Sequence, residues 1–184
     1  MGPELEHALV ERARGGDVDA FAELYRAHVA LVRGYISRHF RRCDADEVTA
    51  ETFVRAWEAR ARFEWRGIRY KAWLLRIARN LAVGGSRSEG RFVQVEAAEV
   101  AAAPAPLPEP GDAVVDRWQV AALREMVEAL PALQRDVVVL RFVEGLSAVE
   151  VALVLDRRQE AVRSAQYRAL QTLRAKLSAL DAAG

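Results

Sequence analysis

Between Asp44 and Leu81 the sequence DADEVTAETFVRAWEARARFEWRGIRYKAWLLRIARNL sets two kinds of charge on two helical patterns. On a helix turning about 100° per residue, Glu47, Glu51 and Glu58 gather on one side as an acidic ridge. Val48, Thr52, Phe53, Ala56 and Trp57 form the opposite, inward face. In the second pattern Tyr70, Trp73, Leu74, Ile77 and Leu81 make a core stripe, and Arg69, Arg76 and Asn80 run along its border beside Trp73. The chemistry open to these residues is recognition rather than bond making. Carboxylates in a row steer and orient a basic partner, whereas aromatic rings stack on bases and arginine forks hold phosphates. One helix that docks, followed by one that touches a nucleic-acid strand, is the reading these faces support.

Signs of catalysis are missing from the sequence. His7, His28 and His39 are scattered without a ligand pattern, and neither a glycine-rich phosphate loop nor a nucleophile motif occurs. His28 falls within an apolar stripe, where a satisfied core residue is expected rather than a metal ligand. No cofactor is therefore expected, and the chain is not read as an enzyme.

The elements that must position these faces follow from composition and periodicity. A chain of 184 residues with 52% hydrophobic content suits one large domain or two small helical ones. The formal net charge of +1 decides nothing by itself, but its distribution does. Residues 1–92 carry +4, residues 93–116 carry −5 with no basic residue, and residues 117–184 carry +2. Two mildly basic blocks around an acidic stretch read as two domains and a linker. The single Cys43 excludes an internal disulfide and fits a reducing compartment. No apolar run approaches the ~18 residues of a spanning helix, and the charged N-terminus lacks a signal-peptide core. A soluble cytoplasmic protein without membrane insertion is expected.

In chain order, residues 4–14 form a short helix with Leu5, Ala8, Leu9 and Arg12 on one side, closed by Gly15-Gly16. Asp17 caps the next helix, in which Phe21, Leu24, Tyr25, His28, Val32, Tyr35 and Ile36 recur at helical spacing. The cluster Arg38-His39-Phe40-Arg41-Arg42 that follows is either a solvated helix end favoured by the macrodipole or a contact to DNA. The helix from Asp46 to about Arg60 bears the acidic ridge, and residues 61–69 form an irregular junction. There Phe63 is expected to plug the junction, while Trp65 suits either a plug or a floor for a base. The helix from Tyr70 to Val83 should break at Gly84-Gly85.

Residues 93–116 hold four prolines among small and acidic residues, the composition of an extended, flexible linker. Beyond it, Val115, Trp118, Ala122, Leu123, Met126 and Leu130 point inward from one helix. Pro131 opens another, carrying Leu133, Val137, Leu140 and Arg141, and Gly145 closes it as a C′ residue. Ser147 to Glu150 is a capping box opening a short helix that ends at Leu155. Asp156, with Gln159 three residues on, is expected to cap a long helix reaching about Leu180. Short helix, tight turn and long helix make a helix-turn-helix, whose second member enters the major groove. Val162, Ala165, Ala169, Leu173 and Leu177 face inward on that helix; Arg157, Glu160, Arg163, Ser164, Tyr167, Arg168 and Gln171 face outward.

Two of these stretches carry a family resemblance. DADEVTAETFVRAW followed by WLLRIARNL resembles region 2 of bacterial RNA polymerase sigma factors of the extracytoplasmic-function group, and LPALQRDVVVLRFVEGLSAVEVALVL resembles their region 4. The resemblance implies an all-α chain: a region 2 bundle over 1–92, a linker over 93–116, and a region 4 helix-turn-helix domain over 117–184. It implies that Asp44, Asp46, Glu47 and Glu51 dock on the clamp helices of core RNA polymerase, with a further contact to the flap. It also implies that Trp65, Arg66, Arg69, Lys71, Arg76, Arg79 and Asn80 hold the melted promoter −10 strand, with one base flipped out. Arg157, Glu160, Arg163, Ser164, Tyr167 and Arg168 would meet the −35 duplex, Arg163 and Ser164 at bases and Arg168 at phosphate. An anti-sigma factor that covers these surfaces is implied as well. The chain departs from the family at Gly84-Gly85, where relatives continue into an arginine-rich run. It departs again at Asp156 (a usual glycine), Arg157 (apolar), Ala165 (basic) and Gln166 (leucine). A stand-alone helix-turn-helix regulator, and a sigma-like module that sequesters a partner without reading DNA, are the alternative readings.

Overall fold

The computed structural model describes residues 1–65, 67–84 and 117–181, and every regular element among them is a helix. They form two compact units, one built on helices α1 to α4 and the other on α5 to α8. Arg66, Gly85, Arg87, Arg91 and the whole 93–116 stretch lie outside the described residues, as do Val115 and the side chain of Trp118.

In the first unit α1 spans Pro3–Arg14, with proline at the helix start where its missing N–H costs nothing. Gly16, at φ +94°, turns the chain out of α1. Asp17 then caps α2 (Val18–His39) as its position predicts, accepting 3.0 Å from the Ala20 N–H. The buried face of α1 is Leu9, Val10 and Ala13, whereas Leu5, Ala8 and Arg12 are exposed, contrary to the expected stripe. The helix is rolled so that Glu6 turns inward toward His28 on α2; Nε2 and Oε1 lie 2.9 Å apart, close enough for an ion pair though not aligned for a hydrogen bond. His28 is thus a core residue, as its place in an apolar stripe predicts.

Along α2, Ala20, Leu24, His28, Val32, Tyr35 and Ile36 are buried, close to the 3.6-residue expectation. Tyr25 instead lies at the edge, its ring 4.7 Å from that of Phe53. Helix α3 (Ala45–Ala59) buries Thr49, Thr52, Phe53 and Ala56. Its two threonine hydroxyls donate back to the carbonyls of Ala45 and Val48, which is how polar side chains are satisfied in that core. A single 3-10 turn (Arg60–Arg62) leads to the junction, and α4 (Tyr70–Ala82) closes the bundle. The core of α4 is Tyr70, Ala72, Trp73, Leu74, Leu75 and Ala78, while Ile77 and Leu81 are only partly buried. Both α2 and α3 pack on α4, so its apolar face is broader than a single stripe. Gly84, at φ +72°, follows directly, where the helix was expected to break.

In the second unit α5 (Arg117–Glu128) contributes Met126 to a core with Leu130, Val138, Ala169 and Leu173; Leu123, expected inside, is exposed. Pro131 precedes α6 (Ala132–Val138), which was expected to run unbroken toward Gly145. It passes instead into a π-turn over Val139–Val143, in which the Glu144 N–H donates to the Val139 carbonyl five residues back. Gly145 at φ +63° then reverses the chain, as a C′ glycine should. The Ser147–Glu150 capping box forms in both directions: the Ser147 N–H donates to Glu150 Oε2 at 2.7 Å, and the Glu150 N–H to Ser147 Oγ at 3.2 Å. It opens α7 (Ala148–Leu155).

Asp156 does not cap α8 (Gln159–Asp181). It stands at φ +52°, the left-handed turn residue that ends α7, and Arg158 accepts the first bond of α8, from the Val162 N–H. The sequence resemblance implies a glycine at this place, and aspartate is among the few L-residues that tolerate the left-handed region. On α8, Val162, Ala165, Ala169 and Leu173 are buried, but Leu177, expected inside, is 43% exposed because α8 outruns the core there.

Candidate functional site

The acidic face begins at the N-terminus of α3. Asp44 is its cap, with Oδ1 accepting from the N–H groups of Asp46 (2.9 Å) and Glu47 (3.1 Å). Asp46, one residue into the helix, is held by Arg33 of α2 at 2.5 Å, and this hydrogen bond, with the arginine's charge, keeps its carboxyl below the ordinary aspartate value. Glu51 pairs along the helix with Arg55 at 2.7 Å. Asp46 and Glu47 therefore sit in the first turn and Glu51 one turn later, with Glu47 and Glu58 exposed on the same helix. Arg33 was not foreseen. It lies thirteen residues before Asp46 in the chain and on another helix, so no local spacing points to it.

The junction is an aromatic cluster. Phe63 is 4% exposed and plugs it as expected, with ring centroids 5.5 Å from Tyr70 and 5.0 Å from Trp73. Trp65 is partly buried, edge-on to Phe63 at 5.9 Å and to His7 of α1 at 5.1 Å. Edge-to-face pairs of this kind add about 0.5–1.5 kcal/mol each beyond area burial, so Trp65 is held in place yet keeps an accessible surface. Burial, with the charge of Glu6 second, pushes the Tyr70 phenol well above its usual value, so it stays protonated and neutral. Arg60 places its guanidinium over the Trp57 ring, 4.0 Å from the ring centre, and donates to the Trp57 carbonyl, tying the turn to α3. The contact from His7 was missed because it comes from a helix far away in sequence.

Along α4, Arg69 occupies the cap position, and Lys71, Arg76, Arg79 and Asn80 are all partly buried. At about 100° per residue, Arg69, Arg76 and Asn80 share a side with Trp73, and Lys71 stands on another. Arg79 reaches sideways to the Phe40 ring at 5.8 Å, which brings the end of α2 beside the last turn of α4.

On α8 the predicted outward residues Glu160, Arg163, Ser164, Tyr167, Arg168 and Gln171 are all exposed, as is Arg157 in the turn before it. Tyr167 is 66% exposed, its hydroxyl accepting from Gln171 at 3.1 Å. Arg168 folds back on the Ser164 carbonyl at 3.3 Å. Two positions that depart from the family belong to the other side. Ala165 is fully buried, and Gln166 accepts from Arg141 Nε at 3.0 Å while Arg141 Nη1 reaches the Leu146 carbonyl at 2.6 Å. Arg141 thereby ties the chain before the capping box to the side of α8. No group of histidine, cysteine or carboxylate side chains among the described residues could hold a metal ion. No helix among them is long and apolar enough to cross a membrane.

Comparison with known proteins matches both units to one family. The family model for sigma-70 region 2 matches residues 24–92, and that for sigma-70 region 4 matches residues 121–173. The chain is 37% identical to the ECF RNA polymerase sigma factor BldN of Streptomyces coelicolor over 90% of its own length, and spans 63% of that protein. It is 30% identical to the ECF RNA polymerase sigma factor SigD of Mycobacterium tuberculosis, covering 97% of this chain and 87% of that one. Among solved structures it is similar to CnrH, seen in complex with the cytosolic domain of CnrY, at a TM-score of 0.61 and 28% identity over 95% of this chain and 98% of that one. With a region 2 bundle, a region 4 helix-turn-helix and relatives matched along most of its length, this chain belongs to the ECF sigma factors of RNA polymerase.

Proposed function

We propose that this chain directs core RNA polymerase to a set of promoters, the second unit reading −35 as duplex and the first capturing −10 as melted strand. The observation that carries this reading is the pairing of an acidic first turn on α3 with an aromatic, arginine-edged junction one helix later, in a chain that also holds an exposed helix-turn-helix face. Asp44, Asp46, Glu47 and Glu51 dock on the clamp helices, where complementary charge sets register and encounter rate more than affinity. Trp65, Arg66, Arg69, Arg76, Arg79 and Asn80 hold the strand, with Lys71 as a peripheral phosphate contact. Asn80 is suited to a base edge, since its amide both donates and accepts. Arg157, Glu160, Arg163, Ser164, Tyr167 and Arg168 face the −35 groove, and a second polymerase contact falls on the flap.

The polymerase performs the chemistry, so this chain contributes address and strand opening and acts in the cytoplasm beside the chromosome. CnrH is captured with a partner's cytosolic domain, and a comparable anti-sigma factor is proposed to cover these surfaces here. Run-off transcription with purified core polymerase over a genomic fragment pool tests the reading. Starts sharing two spaced motifs are expected. Tight, specific DNA binding without polymerase would replace it with a stand-alone regulator, and a complete lack of starts would replace it with a sequestering module.

A further inference from the structure

The basic cluster that ends α2 has no part in the surfaces above. Arg38 and His39 occupy the last turn of the helix, where cations offset the exposed carbonyl dipoles. Arg38 folds back to donate to the Gly34 carbonyl at 3.1 Å. Arg41 and Arg42 lie past the cap residue Phe40, in the turn before α3, and both are exposed. The acids nearest in sequence are directed elsewhere: Asp44 into the N–H groups of α3, Asp46 onto Arg33. Neither arginine makes an ion pair among the described residues.

The fold sets this turn against the C-terminal end of α4. Cys43 Sγ donates to the Ala82 carbonyl at 3.4 Å, and the Arg79 guanidinium stacks 5.8 Å from the centre of the Phe40 ring. Arg41 and Arg42 thus stand on a turn packed beside the last turn of α4, which carries Arg79 and Asn80. The sequence resemblance implies a longer α4 running into an arginine-rich stretch, but here α4 stops at Ala82, Gly84 turns at φ +72°, and the sequence GGSRSEGR offers only Arg87 and Arg91.

We infer that Arg41 and Arg42 form a phosphate-binding surface for duplex DNA immediately upstream of the melted −10 strand, supplied by the α2–α3 turn in place of an extended α4. The inference rests on the sigma-factor reading above. Two planar, bidentate donors on a short turn suit a backbone track rather than a base edge, so the contact strengthens binding without adding sequence preference.

The test uses holoenzyme assembled from core polymerase and the full chain, with a promoter recovered by run-off transcription. Two synthetic forms of that promoter are compared, one keeping the duplex upstream of −10 and one cut back to the −10 single strand. On the first form R41A/R42A should bind roughly tenfold more weakly, and the slope of log affinity against log salt should flatten by about two, near 0.9 per lost phosphate contact. On the cut form affinity should match the parent, and R41K/R42K should retain most binding on both. Equal loss on both forms, or no loss on either, overturns the inference. So does weaker capture of core polymerase by R41A/R42A, which would make the turn a protein contact. If the parent holoenzyme opens no promoter, the sigma-factor reading itself falls and takes this inference with it.

Discussion

Asp156 and Asp17 show how much one side chain's conformation or partner decides. A residue with a Cβ in the left-handed region costs about 1–2 kcal/mol, less for aspartate than for most, and Asp156 sits there at φ +52°. D156G removes that strain while making the unfolded chain freer, so it should stabilise the second unit by a net ~0.5–1 kcal/mol, read as a higher unfolding midpoint. From spacing alone Asp156 passed for a helix cap, since aspartate three residues before glutamine is also a capping pattern. Only the backbone angle separates the two roles. Asp17 is a true cap, and the Ala20 N–H, followed by Arg12, holds its carboxyl below the usual aspartate value of 3.8. A depressed folded-state value means that its contribution is complete above the ordinary range and is lost as pH falls below it. Denaturation midpoints of the parent and D17N should therefore differ at pH 7 and draw together as pH falls below the ordinary aspartate range.

Among the elements, α2, α3 and α8 were legible because apolar residues at 3.6-residue spacing leave one face unambiguous. Legibility failed where a polar pair takes a place in the core or a helix ends early. Helix α1 is rolled toward Glu6 and His28, which no stripe of apolar residues could announce. The π-turn after α6 depends on a bond spanning five residues, and its sequence, VLRFV, has an ordinary helical look. The candidate site divides in the same way: charges on α3, α4 and α8 were visible as faces, but Arg33 against Asp46 and His7 against Trp65 arise only from packing between elements. A prediction belongs here for α8. Arg163→Ala, exposed and outside the core, should leave stability unchanged and relax discrimination at one −35 base pair, at a cost of about 1–3 kcal/mol. Competition among single-base promoter variants, with holoenzyme, would measure it.

At the scale of the molecule, the two units combine different sorts of recognition. Charge reversal on the first unit should separate polymerase capture from folding. E47K/E51K is expected to reduce retention on immobilised core polymerase by about tenfold or more, since like charges set face to face cost several kcal/mol. The fold should be kept, with the unfolding midpoint lowered only modestly by loss of the Glu51–Arg55 pair and of an acid in the first turn of α3. Retention equal to the parent at low and high salt would remove these carboxylates from the docking surface.

The family model for the first region begins at residue 24, but Leu9, Val10 and Ala13 of α1 are buried, and Glu6 reaches the core histidine. A fragment trimmed to the family boundary would uncover greasy helix faces and orphan an imidazole. It should precipitate when expressed by itself and regain solubility once the first twenty-three residues are restored, even as a separate peptide. The opening helix completes the core of the bundle, so a boundary set where the family model begins removes α1 and cuts into α2.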